Sequence, residues 1–286
     1  MVEVIRVKAR YGVMVAAAFL AQSSAYCPRA SRPQLQHSLR QLIRAHSSST
    51  THPPANVDGN PEEPRARVRQ HVNPLAATYQ APIQLAESWT SRLYEDPTLP
   101  FHLDIGCARG GFCLKLAESR PDVNVLGLEI RRPVAAFCSQ RARDSGLPNV
   151  GFLSCNANVD LDRILRGVNQ IPSRLTRVSI QFPDPHFKAR HQKRRVVQPA
   201  LVQAIADHTD DDCEVFIQSD IEDVAVDMRQ QFREHPGFVD VCDDMEVWLQ
   251  DNPTGIPTER EIGVLEKGGP VYRTLFRRRR GSMMAE

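Results

Sequence analysis

The densest chemistry in this 286-residue chain lies in one run, Gln181-Phe182-Pro183-Asp184-Pro185-His186-Phe187-Lys188-Ala189-Arg190-His191-Gln192-Lys193-Arg194-Arg195. Two prolines flank one carboxylate and stiffen the loop around Asp184. An Asp in a Pro-rich turn commonly just satisfies its own backbone. Here it follows the apolar run Val178–Phe182, which places it at the end of a strand, where ligands sit in open α/β sheets. Behind it Lys188, Arg190, Lys193, Arg194 and Arg195 put five cations into eight residues. A charge run is usually a solvated face. Beside a ligand edge it reads better as contacts to nucleic-acid phosphates.

A second constellation is Asp104-Ile105-Gly106-Cys107-Ala108-Arg109-Gly110-Gly111. Glycines let the backbone turn tightly and approach a ligand. The spacing departs from GxGxxG because Ala108 replaces the middle glycine, so a dinucleotide cradle is weakly supported. Glu129 stands 25 residues beyond Asp104, at the end of the next apolar run, where an acid accepts hydrogen bonds from ribose hydroxyls. Asn156-Ala157, after a third run, offers an amide to an adenine. A carboxylate ahead of the turn repels a pyrophosphate but attracts the cationic sulfur and amine of S-adenosylmethionine. The three features in this order predict an adenosyl site.

These residues need a scaffold, and the apolar pattern supplies one. Strands are predicted over Leu99–Ile105, Val123–Ile130, Val150–Ser154, Val178–Phe182 and Glu214–Gln218. Helices are predicted over Gly111–Ser119, Pro133–Asp144, Asp160–Arg166, Gln198–His208 and Ile221–His235. Two further strand-like runs, Val239–Trp248 and Val271–Arg277, have no helix predicted between them. Alternating strands and helices mean an α/β fold, a mostly parallel sheet with helices on both faces. The last two runs fit a terminal antiparallel pair.

Composition excludes several classes. Val13–Ala21, the longest strongly apolar run, is far shorter than the roughly 20 residues of a membrane-spanning helix. The seven cysteines are odd in number and scattered, without CxxC or zinc spacing, which predicts a reducing compartment and no metal. Residues 1–70 hold ten Lys/Arg against four Asp/Glu; the remainder, with 26 against 30, nets −4. A polyanion must therefore be met by a local patch rather than an overall field. Residues 1–50 carry one acid, Glu3, seven Lys/Arg and seven Ser, the signature of a transit peptide. Inside it Arg6, Lys8 and Arg10 precede Val13–Ala21, and Ser23, Ser24 and Ala25 follow, the order of a signal peptide cut after Ala25. Residues 1–64 are read as a targeting presequence and linker, and 65–280 as the folded domain. The two-part leader resembles plastid presequences of algae with secondary plastids; a mitochondrial address is the alternative.

Leu103–Gly106, Leu126–Arg131, Asn156-Ala157, Phe182–Arg195, Ser219-Asp220 and Pro257–Glu261 together resemble the tRNA (guanine-N7-)-methyltransferase family, over about residues 64–278. The resemblance implies a Rossmann-like class I methyltransferase with a seven-stranded sheet, using S-adenosylmethionine to methylate N7 of the variable-loop guanosine 46 of tRNA. By residue, it implies cofactor positions at Gly106, Glu129, Arg131, Asn156 and Ala157, with Asp104 added from the charge argument. It implies a catalytic role for Asp184 and substrate-site roles for Lys188, Asp220, Thr258, Arg260 and Glu261. Ala108 departs from the glycine of many members. His186-Phe187 resembles eukaryotic members, whereas Lys193-Arg194-Arg195 is closer to bacterial ones. The WD-repeat partner of cytosolic eukaryotic members is not expected here; a monomer or homodimer is. The alternatives are methylation of an amine on a protein, DNA or small molecule, or a non-catalytic RNA-binding relative.

Overall fold

The computed structural model describes residues 71–279. The predicted presequence, its cut after Ala25 and most of its linker lie outside the described residues. Seven strands form one sheet: β1 Phe101–Ile105, β2 Asn124–Glu129, β3 Val150–Ser154, β4 Leu175–Gln181, β5 Glu214–Ser219, β6 Phe238–Asp240 and β7 Tyr272–Arg278. Their order is β3-β2-β1-β4-β5-β7-β6. The first five are mutually parallel, and β7 runs antiparallel to both β5 and β6. Strand order reverses between β1 and β4, which locates the ligand crevice at their carboxyl ends.

Among the described residues the α-helices are α1 Trp89–Leu93, α2 Gly111–Ser119, α3 Arg132–Ser145, α4 Ala157–Asn169, α5 Pro199–Asp207, α6 Glu222–Arg233 and α7 Glu259–Glu266. Every residue of β1 and β2 is buried, as expected for parallel strands covered on both faces. Alternation divides them: Leu126 and Leu128 join the core beneath α4, α5 and α6, while Val125 points to a second core under α2 and α3. Helix α3 begins with Pro133 in its first turn and stops at Gly146, whose φ of 64° is the left-handed cap. Helix α4 is longer than the predicted Asp160–Arg166. Its apolar stripe of Leu161, Ile164, Leu165 and Val168 starts one turn after the Asn156 cap.

Two expectations fail near the carboxyl end. The run Val239–Trp248 is a strand only over Phe238–Asp240. Beyond it the carbonyls of Cys242, Asp244, Met245 and Val247 all accept from the guanidinium of buried Arg229, whose Nε donates to Asp240. Trp248 stacks on the same guanidinium at 4.8 Å. The segment thus wraps a cation instead of extending. The second miss is α7, which stands between β6 and β7 where no helix was expected. Its Thr258 and Glu261 form a reciprocal capping box, a pattern legible as T-x-x-E.

Candidate active site

The carboxyl ends of β1 to β4 open onto one cleft, walled by the Gly106–Ala108 turn, Glu129, Asn156 and the Phe182–His186 loop. The turn is pinned from behind, with Gly106 and Cys107 amides donating to Leu128 O at 2.8 and 3.0 Å. Gly106 has φ 84°, and a Cβ there would meet nothing within 4 Å. Backbone sign, not packing, calls for glycine, and the space beside it belongs to the cleft. Ala108 keeps the left-handed geometry at φ 48°, so the missing glycine leaves the turn's shape intact.

Glu129 is buried and held by Arg131, whose backbone N, Nε and Nη2 lie 2.8, 2.9 and 2.9 Å from its oxygens. Both residues line the cleft, as do Gly106, Asn156 and Ala157. Asn156, expected to face an adenine, turns its side-chain amide elsewhere. Its Nδ2 donates to Pro74 O and Tyr79 O, and its Oδ1 caps α4 through Asn158 N. Asp104 lies beneath the turn and outside the cleft lining. Its carboxylate accepts from Ser179 Oγ at 2.7 Å, Gln181 Nε2 at 3.2 Å and Cys113 Sγ at 3.4 Å. Burial raises its pKa, and those hydrogen bonds oppose the rise. The charge attraction predicted for Asp104 is therefore not exerted by direct contact across the cleft.

Asp184 stands half-buried in the cleft wall between Phe182 at φ 50° and His186 at φ 43°. Two bulky residues in the left-handed region, either side of one acid, are stored strain of the kind found at functional sites. The loop is anchored at Phe182 N, which donates to Gln218 O at 2.8 Å. Burial lowers the His186 pKa, against the Asp184 charge that raises it. Sequence reasoning missed His71, whose Nδ1 is 2.7 Å from Asp184 Oδ1. Nothing in its local sequence marks a partner 113 residues away.

The basic run divides. Lys188, which caps a 3₁₀ turn over Ala189–Arg194, and Arg190 and Lys193 within that turn are exposed, beside Phe187 at 73% exposure. Arg194 reaches the cleft, and its buried Nε has no hydrogen-bond partner among the described residues. Arg195 corrects the expectation of a phosphate contact: its side chain is buried, donating to Pro185 O at 3.0 Å and pairing with Asp227 at 3.0 Å. It fastens the Asp184 loop to α6.

The remaining predicted substrate residues lie outside the cleft lining. Arg260 pairs with Asp220. Glu261 is buried, pairs with Arg273 at 2.7 Å and accepts from Asn252 and Gln218 at 2.8 and 3.0 Å. Gln218 also donates to Gln181, which donates to Asp104. A hydrogen-bonded chain thus crosses β1, β4, β5 and β7 from the glycine turn to α7. Among the described residues no His, Cys, Asp or Glu cluster is arranged to hold a metal, and no helix is long and apolar enough to cross a membrane.

A family model described as "Putative methyltransferase" matches residues 98–274. The tRNA (guanine-N(7)-)-methyltransferase of Synechococcus elongatus is 50% identical over 213 residues, covering 74% of this chain and 96% of that protein. A protein of the same name from Synechocystis sp. is 48% identical over 214 residues, 75% of this chain and 98% of its own. The 16S rRNA methyltransferase KamB aligns at 13% identity and a TM-score of 0.47, over 69% of this chain and 96% of that one, and adds nothing on substrate.

Proposed function

The chain belongs to the tRNA (guanine-N(7)-)-methyltransferase family, and on that premise we propose that it methylates N7 of the variable-loop guanosine 46 of tRNA at the cleft bearing Asp184. The observation that carries this reading is the convergence of Gly106, Glu129 and Asp184 on one cleft at the strand-order reversal. S-adenosylmethionine, when bound, supplies an electrophilic methyl group on a sulfonium. The residues present fit it: a glycine with open space at its Cβ position, and a buried carboxylate, Glu129, held at the cleft edge for ribose hydroxyls. Arg131 orients that carboxylate, and Asn156 and Ala157 form the far wall.

Guanine N7 presents a free lone pair and no proton to remove. The reaction needs alignment more than a base, and most of the rate comes from holding N7 in line with the methyl carbon. Asp184 accepts hydrogen bonds from the donor edge of the guanine and steadies positive charge developing on the ring. Lys188, Arg190 and Lys193 meet tRNA phosphates, with Phe187 an exposed ring on which a base stacks. Arg194, which lines the cleft, offers its guanidinium charge to a further phosphate. Asp220, Thr258 and Arg260 serve substrate placement from the rim, with Glu261 fixing that rim from within.

The test is methyl transfer from labelled S-adenosylmethionine to tRNA by the purified chain alone, followed by borohydride and aniline cleavage at 7-methylguanosine. Cleavage at the variable-loop guanosine, lost when that base is replaced, is expected without any WD-repeat partner, from a monomer or homodimer. Asp184→Asn should lose turnover while keeping cofactor affinity, and Glu129→Ala should weaken cofactor binding by calorimetry. Full turnover in the first, or unchanged affinity in the second, removes the role concerned.

Residues 65–280 constitute the catalytic domain in this reading, and 1–64 a plastid presequence and linker. The acid-poor, Arg- and Ser-rich leader supports that address, and cyanobacterial relatives suit a plastid origin. A fusion of residues 1–70 to a fluorescent protein should enter plastids; accumulation in mitochondria would reassign it.

A further inference from the structure

We propose that His71 is a positioning residue for methyl transfer, its imidazole holding the Asp184 carboxylate in the orientation that engages the guanine. The inference rests on the reading of Asp184 given above. His71 Nδ1 lies 2.7 Å from Asp184 Oδ1. The segment carrying it is fastened at several further points. Pro74 O and Tyr79 O accept from Asn156 Nδ2 at 3.2 and 3.1 Å, Ile83 N donates to Asp160 Oδ1 at 3.0 Å, and Ile83 O accepts from Arg163 at 2.6 Å. Val72 and Pro74 line the same cleft as Asp184. Residues 71–83 are thus a strap along the site, and His71 is the point where the strap meets the chemistry.

The prolines fix the backbone around Asp184 but leave its side-chain torsions to its surroundings. A carboxylate with two oxygens can accept from two directions at once. With Nδ1–H donating to Oδ1, the other oxygen is left to accept from the guanine, and the plane of the carboxylate is set before substrate arrives. Both groups are substantially exposed, at 58% and 37%, so their attraction is screened and contributes little to folding stability. The consequence of the pair is orientation, and it is felt in turnover. Arg131 and His186 also sense the Asp184 charge, so they share the field in which the carboxylate sits. No proton moves through His71, because N7 carries none.

Geometry supplies a test that a merely structural role would not pass. The side-chain amide nitrogen of Asn sits close to where Nδ1 of His lies, whereas that of Gln mimics Nε2. Turnover, the KM for tRNA and cofactor affinity are measured on full-length wild type, His71→Ala, His71→Asn, His71→Gln, Asp184→Asn and the His71→Ala/Asp184→Asn double variant. His71→Ala should lower kcat by about ten- to a hundredfold, with cofactor affinity within about twofold of wild type. His71→Asn should retain most turnover and His71→Gln little. In the double variant, losing His71 should cost nothing beyond Asp184→Asn alone. Wild-type kcat in His71→Ala, equal losses in the Asn and Gln variants, or full additivity with Asp184→Asn would overturn the inference. Full turnover in Asp184→Asn alone would instead overturn the reading of Asp184 beneath it, so the two failures are separable.

Discussion

Residue types at the site were legible in the sequence; side-chain directions were not. Asp104, Asn156 and Arg195 each stand at the expected position, yet each is turned away from the expected ligand by a partner supplied by folding. Asp104 meets Ser179, 75 residues on, and Asn156 meets Pro74, 82 residues back. No local pattern encodes such pairs. His102 shows the same long-range environment and carries a prediction. Its Nε2 lies 3.0 Å from Ser179 Oγ in the core, and burial, then the positive charges of Arg177 and Arg120, push its pKa down to about 3. An unfolded His titrates near 6.5. Below that pH the unfolded chain binds a proton that the folded chain refuses. The stabilising contribution is therefore whole above pH 6.5 and is lost as pH falls, at about 1.4 kcal/mol per unit down towards pH 3. At pH 5 the loss is about 2 kcal/mol. Asp104, whose carboxyl pKa burial raises, acts in the opposite sense at the acid end. Urea midpoints at pH 7.5 and 5.0 should fall further apart in wild type than in His102→Gln. Identical pH dependence in the two proteins would remove His102 as the source.

At the scale of elements, the alternation of apolar runs was enough to place β1 to β5 and the helices between them, because buried parallel strands read as continuous apolar stretches. It failed where one side chain overrules the pattern. Val239–Trp248 has strand-like composition, but Arg229 at 0% exposure donates five hydrogen bonds, four to the carbonyls of that segment. A guanidinium has five N–H donors, and here all are used. Removing it takes the closest cation from the buried Asp240 carboxylate, leaving it to Arg233 at 3.2 Å, Thr274 and the Cys242 amide, and leaves four carbonyls without this donor. Arg229→Ala should therefore cost about 3–5 kcal/mol, read from urea unfolding, with Arg229→Lys only partly better because an ammonium offers three donors. A loss below about 1 kcal/mol would mean that water replaces the guanidinium and that the segment folds by other means. Helix α7 was missed for a different reason. Its T-x-x-E cap is explicit, but its eight residues lack a continuous apolar stripe and bury Glu261 instead. Its register is set by the polar chain through Gln218 and Arg273, which exists only once β5 and β7 are paired.

For the whole molecule, the charge distribution decides how a polyanion is held. Residues 71–286 net −4, so no general positive field draws tRNA in, and binding falls to the turn behind Asp184. Three cations there, Lys188, Arg190 and Lys193, are exposed, and Arg194 faces the cleft with a nitrogen unpartnered among the described residues. Each phosphate neutralised adds about 0.7–0.9 to the steepness with which affinity falls in a plot of log K against log salt. Four such contacts predict a slope near −3 to −4. Replacing Lys188, Arg190 and Lys193 together with Ala should flatten it by about 2 to 3 while leaving cofactor affinity in place. Arg195→Ala is the contrasting variant. Its side chain joins Pro185 O to Asp227 inside the protein, so its loss should lower stability and turnover but leave the salt slope of any folded protein unchanged. Filter binding of tRNA from 50 to 300 mM salt distinguishes the two. A triple variant with the wild-type slope would move the phosphate contacts off this turn. An Arg195 variant with a flattened slope would mean that the buried ion pair opens when tRNA binds.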